Sequence, residues 1–378
     1  MINIGVPSLI QPKQVIFGSG SSNYLVRSNF SRVCIIGSKR SLNNYKFISR
    51  INSSKRFHSK TIELKLDNQE PSFDKINSLL KPINKFQPDL IIAVGGGSII
   101  DSCKILWANY EYPNIKIANL EIPFSIPPLR KKSKFICVPT TCGSGSESSS
   151  AATLINKNNG KKIIVTSHDF IPDLVILDDE LLNEIPKKIM FNGILDALCH
   201  TIEGFNSIIK NEAANKLVEL SLLRFSKICE LNKRKNFKEL KKEALYNSYI
   251  AGIIQNNKLV GPAHALAHNM SFIPHGLATG MFLPKILDKI CKKDTAMKDK
   301  YKNLFKKTLN VESCKDLKGI IEDNIYESTD FIFYKDKIKK LSNRQIKHIA
   351  KNANDDGLNK LLQKNFKKND YEKILNSF

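Results

Sequence analysis

The sequence predicts an α/β domain followed by an all-helical domain, and three observations predict it. Short apolar runs that end at glycine or small polar residues recur through the first half. Helical patterning fills the stretches between them. Beyond Pro186 the strand signals stop, and long segments carry apolar residues at helical spacing. The boundary is set so that residues 1–183 form the α/β domain and residues 184–378 the helical one.

In chain order, VCIIG (33–37) is an apolar run ending in glycine, and KTIELKL (60–66) alternates as a strand does. DLIIAVGGG (89–97) and KFICVPTT (134–141) are continuous apolar runs, the pattern of strands buried on both faces. KKIIVTS (161–167) and DLVILD (173–178) follow. Strands separated by helical stretches predict a parallel sheet with crossover helices. In the second half, IMFNGILDALCHTIEGF (189–205), NKLVELSLLRFSKICELN (215–232) and LKKEALYNSYIAGIIQNN (240–257) predict long helices. From about 284 onward the chain is Lys-rich with amphipathic helical segments.

With 42% hydrophobic residues in 378, the chain can build full cores. It has no apolar run long enough to cross a membrane, and its start lacks the basic and apolar regions of a signal peptide. Eight scattered cysteines with no CxxC pair predict free thiols and a reducing cytoplasm. The net charge of +23 comes from lysines spread over the whole chain rather than interleaved with aromatics. It reads as a solvated surface that attracts anions, not as a nucleic-acid or membrane interface.

Two turns carry binding chemistry. AVGGGSIIDSCK (93–104) is a strand, three glycines and a helix start. Gly96 and Gly97 let backbone approach a phosphate closely, and Ser98 can donate to it or cap the helix. Asp101, three residues after Ser98, stands where a capping-box partner would. The spacing is not GxGxxG, and a tight strand-to-helix turn is the plain structural alternative. PTTCGSGSES (139–148) is a second small-residue turn, in which Thr140 and Thr141 offer hydroxyl donors. Two such turns at strand carboxyl ends predict a dinucleotide site.

GILDALCHTIEGF (193–205) puts Asp196 and His200 four residues apart on one helix face. GPAHALAHNMSFIPHG (261–276) holds three of the seven histidines. His264 and His275 complete a set of one carboxylate and three imidazoles that suits Fe(II) or Zn(II), not the oxygen cages of Mg or Ca. Core or loop histidines without a metal are the alternative for each residue taken singly.

Together GGGSIIDSCK, PTTCGSGSES, DALCHTIEGF, and HALAH followed by PHG resemble the group III, iron-dependent alcohol dehydrogenases, and PKQVIFGSGS (12–21) resembles that family's opening strand. The resemblance covers nearly the whole chain, in order. It implies a Rossmann-like nucleotide-binding domain plus an all-helical metal-binding domain, the dehydroquinate synthase-like fold, with the active site in the cleft between. It implies metal ligands at Asp196, His200, His264 and His275, and nicotinamide-cofactor contacts at Gly96, Gly97, Ser98, Thr140, Thr141 and Lys162. It places His268 near nicotinamide and substrate as a proton relay, and it implies a homodimer or larger assembly.

The sequence departs from the family pattern in three places. The His264-to-His275 interval is shorter than in most relatives. Cys142 stands where alanine is usual. NAD-using relatives often carry an acid near the end of the second strand, where this chain has IIGSKRS (35–41). Ser38, Lys39 and Arg40 there favour a 2′-phosphate, hence NADPH. The expected reaction is hydride transfer between NAD(P)H and a small aldehyde or primary alcohol, with phosphonoacetaldehyde to 2-hydroxyethylphosphonate the first candidate. A cyclase like dehydroquinate synthase, using NAD and a metal on a sugar phosphate, is the competing expectation.

Overall fold

The computed structural model describes residues 8–66, 72–115, 120, 122–155, 162–357 and 366–378, with Lys162 as backbone only. Two compact units emerge. One comprises Ile10–Thr141 and Gly145–Glu184; the other comprises Ile185–Phe378 together with the short strap Cys142–Ser144.

The first unit is built on six parallel strands: β1 (Val15–Phe17), β2 (Arg32–Gly37), β3 (His58–Glu63), β4 (Leu90–Gly95), β5 (Lys134–Pro139) and β8 (Leu174–Leu177). Their order is β1-β8-β5-β4-β2-β3. Apart from exposed Arg32 and Lys134 at their starts, the central strands β2, β4 and β5 are buried throughout because both faces are covered. On one face Val33, Ile35, Leu90, Ile92, Val94, Ile136, Val138 and Ile176 share a core with Phe47, Ile48 and Ile51 of helix Lys46–Asn52. On the other, Trp107 of helix Gly97–Glu111 stacks on Phe135 at 5.0 Å between ring centroids.

KKIIVTS does not join this sheet. It forms β7 (Lys162–Thr166), an antiparallel pair with β6 (Ala151–Ile155). The six residues between Ile155 and Lys162 are too few for a crossover helix, so β6 and β7 pair antiparallel with each other. Periodicity alone marks a strand but not its partner.

The second unit is helical. The long helices Lys187–Asn206, Glu212–Lys233, Phe237–Lys258 and His275–Lys293 pack around Lys187–Asn206, which is buried over most of its length. Shorter helices from Thr295 to Asn376 complete the unit. Among the described residues no helix is long and apolar enough to cross a membrane.

Candidate metal centre and cofactor turns

Helix Lys187–Asn206 carries Asp196, His200 and Glu203 at positions i, i+4 and i+7, one above another on a single buried face. His264 comes from the short helix Pro262–Ala267, started by a proline at its first position, and His275 opens helix His275–Lys293. The three imidazoles converge on one carboxylate oxygen. Asp196 Oδ1 lies 3.6 Å from His264 Nε2, 3.7 Å from His275 Nε2 and 4.0 Å from His200 Nε2. These separations exceed hydrogen-bond lengths. For Asp196, His264 and His275, whose ligand atoms all lie within 4.8 Å of one another, they come near the spacing of about 3.4 Å between ligands held tetrahedrally at about 2.1 Å from one ion, and His200 stands slightly farther out.

The protein's own atoms fit such an ion. His264 Nδ1 donates to Glu203 Oε2 at 2.6 Å, and although burial opposes it, Cys199, Asp196 and Glu203 hold this imidazole well above its ordinary value, so an ion would take the place of the proton on the inward-facing Nε2. That Nε2 is buried and has no hydrogen-bond partner. A buried imidazole nitrogen left so is costly unless a ligand takes it. Burial works to raise the Asp196 carboxyl, but His200 and His275, with His264, hold it well below the usual carboxylate range. Burial pulls His200 down to about 4 against the opposing pull of Asp196, so at neutral pH it is an uncharged donor. His275 is the most exposed of the four, its side chain 35% accessible.

Glu203 was not among the residues singled out by sequence, although it lies inside the DALCHTIEGF stretch. Besides His264 it accepts the backbone N–H groups of Gly261 and Ala263 at 2.8 and 2.7 Å, so one carboxylate folds the PAHALA turn and aims its histidine. Its oxygens are thereby used, and burial pushes the neighbouring Cys199 thiol up to about 12. Cys199, Glu203 and His264 are therefore support for the centre, not a second cation site.

Close backbone contact sets the geometry. A Cβ on Gly276 would stand 2.1 Å from the Asn192 carbonyl oxygen and 3.0 Å from Asp196 Cβ. Gly276→Ala is expected to force His275 and Asp196 apart, lowering metal occupancy and activity more than tenfold while adding at least about 2 kcal/mol of destabilisation. Metal analysis beside a thermal melt checks both.

His268 caps the same short helix. Its ring stacks on His275 with centroids 5.6 Å apart, and its Nδ1 lies 3.4 Å from Asp356 Oδ2. The resemblance placed it near the reacting groups, and it stands next to the ligand cluster.

Gly96, Gly97, Ser98, Thr140 and Thr141 gather at the carboxyl ends of the adjacent central strands β4 and β5. Gly95 pairs with Pro139 and Thr140 N donates to Gly95 O at 3.0 Å, so the two turns leave adjacent strands side by side. Gly96 lies against Thr141: a Cβ there would meet Thr141 Oγ1 at 2.8 Å. No side chain caps the first turn of helix Gly97–Glu111, and Ser98 is exposed. Ser98 lies within the helix, with Gly96 as the N-cap, so Asp101 does not complete a capping box. It binds the second turn instead, accepting from Ser146 Oγ and from Thr153 N. Fully buried Lys104 ties the same segment, donating to the carbonyls of Ser146, Ser149 and Ala151 at 2.7, 2.8 and 2.7 Å.

Ser38, at the end of β2 beside β4, caps helix Lys39–Asn44 by accepting from Ser41 N. Lys39 and Arg40 are both exposed, and Arg40 also donates to the Glu184 carbonyl. The side chain of Lys162 lies outside the described residues.

A family model for iron-containing alcohol dehydrogenase matches residues 12–179, and one for the C-terminal part of the Fe-containing alcohol dehydrogenase family matches residues 190–378. The chain belongs to the iron-containing alcohol dehydrogenase family. It is similar to an alcohol dehydrogenase of Thermococcus barophilus, 31% identical over 285 residues that cover 73% of this chain and 74% of that one. It is 27% identical to a NADPH-dependent butanol dehydrogenase of Clostridium saccharobutylicum over 282 residues, 73% of this chain and 72% of that one. Its fold matches the iron containing alcohol dehydrogenase of Thermococcus thioreducens with a TM-score of 0.85 and 25% identity, covering 98% of both chains. As a member of this family the chain is an oxidoreductase that uses NAD(P) and iron or another divalent metal. The cyclase expectation gives way: both matching family models are those of alcohol dehydrogenases.

Proposed function

We propose that this alcohol dehydrogenase reduces a small anionic aldehyde with NADPH and oxidises the matching primary alcohol in reverse, as a homo-oligomer in the cytoplasm. The observation that carries the reaction class is the convergence of His200, His264 and His275 on Asp196 Oδ1, with His264 Nε2 buried and unsatisfied. When bound, the nicotinamide supplies the hydride, and a divalent ion, Fe(II) or Zn(II), supplies Lewis-acid polarisation of the carbonyl.

The chain's residues do the remaining work. Asp196 contributes the one negative charge of the ligand set, and Glu203 holds His264 in its donor tautomer. His268 relays the proton between the substrate oxygen and solvent, while Asp356 holds its Nδ1. Gly96, Gly97 and Ser98 receive the pyrophosphate, and Thr140 and Thr141 wall the adjacent side.

The preference for NADPH rests on Lys39. Lys39 and Arg40 are both exposed after β2, where a ribose 2′-phosphate would be read, and with Arg40 shared with Glu184, Lys39 is the less engaged of the two. The name of the clostridial relative supports the same choice. Lys39→Glu is expected to raise the KM for NADPH on the order of tenfold and to leave that for NADH nearly unchanged. Equal effects on both cofactors would remove Lys39 from the selectivity argument.

The anionic substrate class rests on the net charge of +23. The test compares kcat/KM for phosphonoacetaldehyde and butanal at low and high salt. The anion is expected to be preferred, with a preference that falls as salt rises. A salt-independent preference for butanal would reject the anionic class and leave the reaction class standing.

A further inference from the structure

Two cysteines outside the metal centre differ from the other six. Cys291 lies in the last turns of helix His275–Lys293, and Cys314 is the first residue of helix Cys314–Asn324. Their sulfurs are 3.0 Å apart and share a hydrogen bond, about 1 Å beyond the covalent S–S length of about 2.05 Å. The two helices pack together, with Leu287, Ile290, Leu317 and Ile321 buried, so the pair sits on a fixed frame.

Both thiols are half-buried, whereas Cys34, Cys103, Cys137, Cys142, Cys199 and Cys229 are buried. The hydrogen bond from Cys314 lowers the Cys291 thiol below its ordinary value, favouring its thiolate, while burial pushes Cys34, Cys199 and Cys229 up to about 12. A nucleophilic thiolate, an adjacent resolving thiol and partial access therefore occur together here.

We propose that Cys291 and Cys314 form a dithiol modification site that closes to a disulfide in reaction with a low-molecular-weight disulfide such as oxidised glutathione. The Cys291 thiolate attacks one sulfur of the oxidant. A bond forms between them, the oxidant's S–S bond breaks, and one glutathione thiolate leaves. Cys314 then gives its proton to solvent and attacks the Cys291 sulfur, releasing the second glutathione thiolate. Two protein thiols are oxidised, and one small disulfide is reduced to two thiols. The new bond ties the helix that begins with His275 to helix Cys314–Asn324 across the intervening helix Thr295–Leu309. It does not depend on the substrate or cofactor assigned above.

The test treats the folded full-length protein with oxidised glutathione, alkylates it under denaturing conditions and maps the peptides. The wild-type chain is expected to lose two of its eight alkylatable thiols and to yield a Cys291–Cys314 cross-linked peptide. Its melting temperature should rise by about 5 °C over the reduced form. Cys314→Ser should stop at a glutathione adduct on Cys291, and Cys291→Ser should form no cross-link. Eight alkylated thiols after oxidation, a cross-link at another pair, or a persistent glutathione adduct on wild-type Cys291 would overturn the proposal.

Discussion

His200→Ala is expected to fold, to lose its divalent ion and to lose turnover by a factor on the order of 10³ or more. His200 is 3% exposed on the buried face of helix Lys187–Asn206, and alanine there keeps the helix at little intrinsic cost. The void left by the ring destabilises by a few kcal/mol at most, on the scale of about 2–5 for large-to-small core changes. The ligand set falls from four donors to three, and the deeply buried donors Asp196 and His264 lose a partner that faces them. Metal content by mass spectrometry, far-ultraviolet circular dichroism and kcat separate loss of metal from loss of fold. A folded variant with full metal and full activity would remove His200 from the centre.

Glu203→Gln is expected to weaken metal affinity by about 10- to 100-fold while leaving most of the fold. The amide oxygen still accepts from Gly261 N or Ala263 N, but the ionised partner of His264 Nδ1 is gone. The imidazole then becomes a poorer donor and its tautomer is no longer imposed. Excess metal should restore turnover in Glu203→Gln, which a purely structural role would not allow. Chelator competition measures the affinity, and a melt measures the stability. Unchanged affinity with a lowered melting temperature would reduce Glu203 to a scaffold role.

The central strands were legible because a strand buried on both faces is apolar at every position. VCIIG, DLIIAVGGG and KFICVPTT became β2, β4 and β5, and their carboxyl ends carry the turns that the sequence marked. The metal ligands were legible for a related reason: an i, i+4 carboxylate–imidazole pair is a statement about one helix face. Glu203 shares that face, but its role depends on the PAHALA turn about sixty residues later, which no local pattern encodes. Asp356 approaches His268 from still farther along the chain. Asp101 failed as a cap because the helix begins at Gly97, a boundary that pattern reading places poorly. KKIIVTS was recognised as a strand but counted with the parallel sheet rather than in an antiparallel pair, since register and pairing are properties of two segments. The Cys291–Cys314 contact likewise joins two helices whose packing the spacing of cysteines does not reveal.

The proposed NAD(P)H-linked aldehyde reduction requires a divalent ion held by Asp196, His200, His264 and His275. The most direct measurement follows NADPH and NADH oxidation at 340 nm with chelator-treated protein, a panel of anionic and neutral aldehydes, and Fe(II) or Zn(II) added back. The predicted result is no oxidation without metal and restored oxidation with one class of aldehyde once metal is present, faster with NADPH. Oxidation at full rate in the chelated, metal-free protein would contradict it.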